Sequence, residues 1–125
     1  MKRSFLAPIT FAVSLALGSV ALSTTAQAQT AQSTIYTPEE MRTLAAHAVI
    51  AGSPDQGYQI ASALLQRDPN DTEALIIRAR AARDLGRLDE AIATARKAWG
   101  GAQTQSERFG ASMVMTQALS TNGAK

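Results

Sequence analysis

The sequence predicts an all-α fold built from repeated helix-turn-helix units. Three observations point there. Helix-start signals recur along the chain, each a hydroxyl or acidic capping residue followed by an amphipathic stretch. Between residues 38 and 122 nothing alternates with period two, and β-branched residues are sparse. Set against itself at an offset of 34, the chain pairs Glu39 with Glu73, Ala45 with Ala79, Ala48 with Ala82, Gly52 with Gly86, Asp55 with Asp89 and Ala61 with Ala95. A helical unit that recurs at this period cannot bury its apolar face alone, so neighbouring units are expected to stack into a solenoid.

The chain opens with Lys2 and Arg3, an apolar run over residues 5–22 that has no acidic residue, and Ala26-Gln27-Ala28. This is the layout of a secretory signal peptide over residues 1–28, with cleavage expected after Ala28. An apolar run of about 18 residues also approaches membrane-spanning length, so an uncleaved anchor is the competing reading. Residues 29–36 are small and polar and read as a flexible leader.

Thr37-Pro38-Glu39-Glu40 then combines a capping hydroxyl, a proline at the first helical position and a glutamate three residues after the cap, which starts helix one. Gly52 closes it, and Ser53-Pro54-Asp55-Gln56 opens helix two. Asn70 or Asp71 caps helix three, which Gly86 ends. Helix four covers residues 88–99 and is expected to stop at Gly100-Gly101. Thr104-Gln105-Ser106-Glu107 opens a last helix over residues 106–122. The folded domain is therefore placed at residues 37–125, with repeats 38–71 and 72–105 and the last helix as a half repeat.

Composition narrows the function classes. The 125 residues suffice for one modest domain, and the absence of cysteine excludes a disulfide scaffold, a thiolate metal site and a cysteine nucleophile. With Lys2 and Arg3 removed, the 12 basic residues fall to equality with the 10 acidic ones, so the mature domain lacks the clustered positive excess that nucleic acid requires. A cysteine-free exported domain suits an oxidising periplasm. His47 is the one histidine and has no acid at i±3 or i±4. The adjacent carboxylates, Glu39-Glu40 and Asp89-Glu90, sit at helix starts where the dipole favours them. No nucleophile elbow or glycine-rich phosphate loop occurs. No catalysis, metal or cofactor is expected.

The period of 34, Pro69 ahead of the second unit, small residues at Ala79, Gly86, Ala91 and Ala98, and the run from Leu85 through Arg87 and Leu88 to Ile92 together resemble the tetratricopeptide repeat family. The first unit follows in register, with Leu44, Ala45 and Gly57 at matching positions. Arg78 departs from the pattern, since the family usually has an apolar residue there. Ala48, Ala61, Ala82 and Ala95 replace larger side chains.

The resemblance implies a concave groove lined by the first helix of each repeat, with Glu39, Arg42, Ala46 and Val49 from repeat one and Glu73, Ile76, Arg80, Arg83 and Asp84 from repeat two. Arginines there can fork onto the carboxylates of an incoming segment, although Arg80 and Asp84 at i,i+4 can equally pair with one another. The lysine-asparagine pair by which some members hold a terminal carboxylate is replaced by Arg42 and Ala46, so that mode is not expected.

The last helix carries Phe109, Met113, Val114, Met115, Ala118 and Leu119 over more than one stripe, unlike the polar outer face of a closing helix. Phe109 and Met113 thus read as part of an open face for a partner or a second copy of the chain, while Met113 and Met115 as core filler on Trp99 is the other reading. Gly123 falls where the next inter-helix turn is expected.

A second likeness runs through Thr37-Pro38-Glu39-Glu40-Met41-Arg42, Asp68-Pro69, Arg78-Ala79-Arg80-Ala81, Ala98-Trp99 and Glu107-Arg108-Phe109. It is similar to the periplasmic repeat domain of surface-lipoprotein assembly modifiers, which precedes an outer-membrane β-barrel. It implies the periplasmic part, or a truncated fragment, of an outer-membrane β-barrel assembly or secretion protein, with membrane contact only through an outer-membrane partner. The expectation from the whole sequence is an exported module that binds a peptide or protein through its groove or its last helix.

Overall fold

The computed structural model describes residues 36–123, so the expected signal peptide and nearly all of the expected leader lie outside the described residues. Five helices follow: α1 (Pro38–Ile50), α2 (Pro54–Arg67), α3 (Thr72–Asp84), α4 (Leu88–Gly101) and α5 (Gln105–Gly123). No strand occurs among the described residues. The expected all-α solenoid of two repeats and a half is the observed architecture.

Local chemistry accounts for each boundary. At α1 the Thr37 hydroxyl accepts the Glu40 amide at 3.2 Å while the Glu40 carboxylate accepts the Thr37 amide at 2.8 Å, a reciprocal capping box. Asp71, rather than Asn70, caps α3 by accepting the Ala74 amide at 3.1 Å. Thr104 and Glu107 repeat the capping box at α5.

The two repeats turn in the same way. Gly52 and Gly86 take φ of +89° and +80°, a region open to glycine without steric penalty. The Ser53 amide reaches the Ala48 carbonyl and the Arg87 amide the Ala82 carbonyl, each at 2.8 Å, closing two Schellman motifs 34 residues apart. Ser53 consequently departs from its expected capping role. Its backbone is set by the turn at φ −117°, ψ 65°, close to Arg87 at its repeat equivalent, and its hydroxyl makes no capping bond.

Two further boundaries differ from expectation. α4 runs through Gly100 to Gly101, where the Thr72 hydroxyl donates to the Gly101 carbonyl at 3.3 Å and satisfies a terminal acceptor. Gly123 remains helical as the last residue of α5, with no left-handed turn there.

Consecutive helices pack in series, and each first helix also meets the next, α1 with α3 and α3 with α5. Alanine dominates what they bury: eleven of the nineteen buried apolar residues, Ala45, Ala79 and Ala95 among them, are alanines with no exposed surface. Helices therefore approach closely, and each contact removes less apolar area from water than a leucine core does. The closest approach is at Gly57, where an added Cβ lies 2.5 Å from Val49 Cγ2 and 2.9 Å from the Ala45 carbonyl.

Arg78, the departure from the family pattern, is explained by a polar network between the repeats. Its Nη2 donates to the Tyr58 hydroxyl at 3.0 Å and to Glu90 Oε1 at 3.2 Å, and the Tyr58 hydroxyl itself donates to Glu90. The Tyr58 ring lies against two guanidinium groups, Arg78 at 5.0 Å and Arg87 at 4.9 Å from its centroid. Burial opposes the Arg78 charge, yet Tyr58 and Glu90 outweigh it and hold its pKa above the usual arginine value.

Candidate functional site

Because α1, α3 and α5 lie side by side, their shared face forms a groove of about 390 Å³. It has three levels along the helix axes. At the N-terminal level stand Glu39, Glu73 and Glu107, one from each helix. Below them are Arg42 and Thr43 on α1, Ile76 and Ile77 on α3, and Gly110 on α5. Ala46 and Arg80 form the last level.

The charges at these levels are not equally available. Asp71, itself buried, accepts from Arg42 Nε through both carboxylate oxygens, at 3.2 and 3.0 Å, and Glu73 lies 3.8 Å from the same nitrogen. Arg42 is thus held by the α3 cap and serves to join the two repeats. Glu107 is committed to its own helix start, accepting the amides of Gln103 at 2.7 Å and Thr104 at 3.1 Å, and these bonds lower its pKa below the usual carboxylate range. Arg80 has no ion pair among the described residues and is half-buried at the groove floor. Beside it Gly110 is buried: a Cβ there would stand 3.4 Å from Ile76 Cγ2 and 3.9 Å from Arg80 Nη2, at ordinary contact distances.

The structure therefore brings together Glu39, Arg42, Ala46, Glu73, Ile76 and Arg80, and separates the other expected residues from them. Val49 packs into the α1–α2 core against Gly57. Arg83 and Asp84 lie outside the groove lining and bind one another, Nη2 to Oδ1 at 2.9 Å, with Arg83 also donating to Gln117. This adjacent fork occupies Asp84, so the i,i+4 pair of Arg80 with Asp84 does not form. Phe109 and Met113 stand on the outer side of α5, 66% and 41% exposed, and do not line the groove. Of the two readings for the methionines, Met115 packs on the core of Ala79, Ala95 and Val114, whereas Met113 is exposed.

Sequence reasoning missed the third wall, Thr104, Ser106, Glu107 and Gly110. The capping signal at Thr104 marks α5 as another first helix, and extending the groove positions by one more period would have found it.

Two other properties bear on chemistry. No group of three or more acidic or histidine side chains is placed to hold a metal ion among the described residues, and His47 is exposed on α1. No described helix is long and apolar enough to cross a membrane.

Stacked helical pairs around a side-chain groove define a repeat protein of the recognition class. A tetratricopeptide repeat model matches residues 48–111, just over half the chain, and the chain belongs to the tetratricopeptide repeat family. Members of this family are in general protein-protein interaction modules and typically lack catalytic activity. Comparison with curated proteins and with solved structures returns no match.

Proposed function

We propose that this chain is an exported adaptor that holds a peptide or protein segment in the α1–α3–α5 groove. The observation that carries the reading is Arg80, a guanidinium with no ion pair among the described residues that lines the groove beside Ile76 and Gly110. A carboxylate on the partner satisfies Arg80 by a charge-assisted bond. An apolar side chain covers Ile76. At the other end Glu39 and the 62%-exposed Glu73 receive a basic group, so the partner segment is of mixed charge rather than simply acidic. From Glu73 to Arg80 is about 10 Å along the helix, a span of about three extended residues.

The location rests on the sequence: the positive start, apolar run and Ala26-Gln27-Ala28 support export into the periplasm. Cell fractionation with sequencing of the mature N-terminus tests this, the expected product beginning at Gln29. Binding is tested by capture of partners from a periplasmic extract. Arg80→Glu is expected to weaken capture on the order of tenfold or more, since hydrogen bonds to charged groups contribute about 1.5–3 kcal/mol. Arg83→Glu, whose side chain is held by Asp84, is expected to have little effect. Equal capture by wild type and Arg80→Glu, with the fold unchanged, contradicts the groove reading.

A further inference from the structure

α3 is buried on two sides, whereas α5 is buried on one. Leu65, Leu75 and Ala79 are 8%, 5% and 0% exposed, in clusters completed by the helix that follows each. Their equivalents one period on are Trp99, Phe109 and Met113, which are 47%, 66% and 41% exposed. Among the described residues no helix covers them. The face opposite the buried Ala111, Val114 and Ala118 runs along Phe109, Met113, Thr116 and Ser120, one stripe at helical spacing. This surface has the form that a further helix covers elsewhere in the same molecule.

Charge decides what covers it. From Phe109 to Gly123 the chain has no ionisable side chain. A charged helix laid on this stripe would lose water around its charges with nothing to pair them. The outer side of α1, the open face at the other end of the stack, sets Glu40 and His47 beside the exposed Leu44 and Ile50, so head-to-tail stacking meets that cost. Among the described residues, the uncharged helix surface that matches α5 is α5 itself. Two copies related by a two-fold axis bring apolar and small hydroxyl side chains together without like-charge repulsion, and such an isologous contact closes at two.

We infer that the chain self-associates into a dimer through α5, with Phe109 and Met113 of each copy packed on the other. The groove meets α5 chiefly at Glu107 and Gly110, which lie about a quarter turn or more around the helix from the Phe109–Met113 stripe, with Ser106 at the border of the two, so each copy retains its own binding site and the dimer is bivalent. One helix pair is at the small end of stable interfaces, which places the association in a concentration-dependent range.

Sedimentation equilibrium on the chain as purified from its host, with its N-terminus established by mass spectrometry, tests this over micromolar to millimolar concentrations. The expected result is a monomer-dimer equilibrium that Phe109→Glu with Met113→Glu shifts to monomer while circular dichroism is unchanged and Arg80→Glu leaves the dimer intact. Because the chain has no cysteine, Thr116→Cys reports the contact directly: oxidation is expected to give a covalent dimer, and Ala93→Cys on α4 is not. Monomer at every concentration, growth beyond two copies, or a dimer indifferent to the double glutamate variant each overturns the inference. None of these results bears on capture of partners by the groove.

Discussion

Arg78 shows how a residue that breaks the repeat pattern is accommodated. A guanidinium in an apolar position is costly unless its hydrogen bonds are met. Here Tyr58 from the first repeat and Glu90 from the second accept from Nη2, while Nε stays buried without a partner, so the network ties one repeat to the next without satisfying the whole guanidinium. Tyr58→Phe is expected to reduce stability by about 1 kcal/mol, the usual net value of such a hydrogen bond, and to leave the helix content unchanged. Urea unfolding followed by circular dichroism measures it; an unchanged midpoint and slope would show that the network contributes nothing. The same residue-level logic separates Arg42 from Arg80. Both were legible as groove arginines from their positions. That Asp71 engages one and leaves the other open was not, because the pairing joins residues 29 apart.

At the scale of elements, starts and turns were the most readable feature. The hydroxyl-proline-acid pattern at Thr37, the Asp71 cap and the paired glycines act through atoms only a few residues away, which is why their positions alone foretold them. Ser53 and Gly101 went otherwise because a turn or a neighbouring helix controls them. Ser53 is the last residue of a Schellman turn, and the α4 end is met by Thr72 from another helix. Contacts between helices rest on small side chains. Ala91→Arg or Ala98→Arg, each placing a long charged group where no surface is exposed, is expected to cost several kcal/mol, on the order of an overpacked and unpaired burial. Gly100→Ala makes the contrast. That helical glycine has nothing within 4 Å of an added Cβ, so the substitution is expected to stabilise by up to about 1 kcal/mol. Thermal unfolding of the three variants orders them, and melting unaffected by both arginine substitutions would contradict the helix packing described above.

For the molecule as a whole, the period of 34 foretold the stack, and the stack determined which residues meet. Glu39, Glu73 and Glu107 stand 34 residues apart in sequence and share one groove because first helices pack side by side. The third wall escaped notice because the last helix, although read as a half repeat, was considered only for its exposed apolar residues, and the groove positions were not carried one period on to Glu107 and Gly110. Likewise, Phe109 and Met113 were legible as exposed and apolar, but their separation from the groove depends on the rotation of α5 against α3. The resulting division separates a mixed-charge groove, proposed to take a partner segment, from an uncharged stripe, proposed to take a second copy.

Partners are proposed to enter the groove formed by the first helices. Site-specific photo-crosslinking in living cells tests this most directly, with a photoreactive residue placed at Thr43 in the groove or at the exposed Ala93 on α4. Groove binding is expected to give a crosslinked partner from Thr43 that is lost when Arg80→Glu is added, and none from Ala93. Crosslinks from Ala93 with none from Thr43 would contradict it.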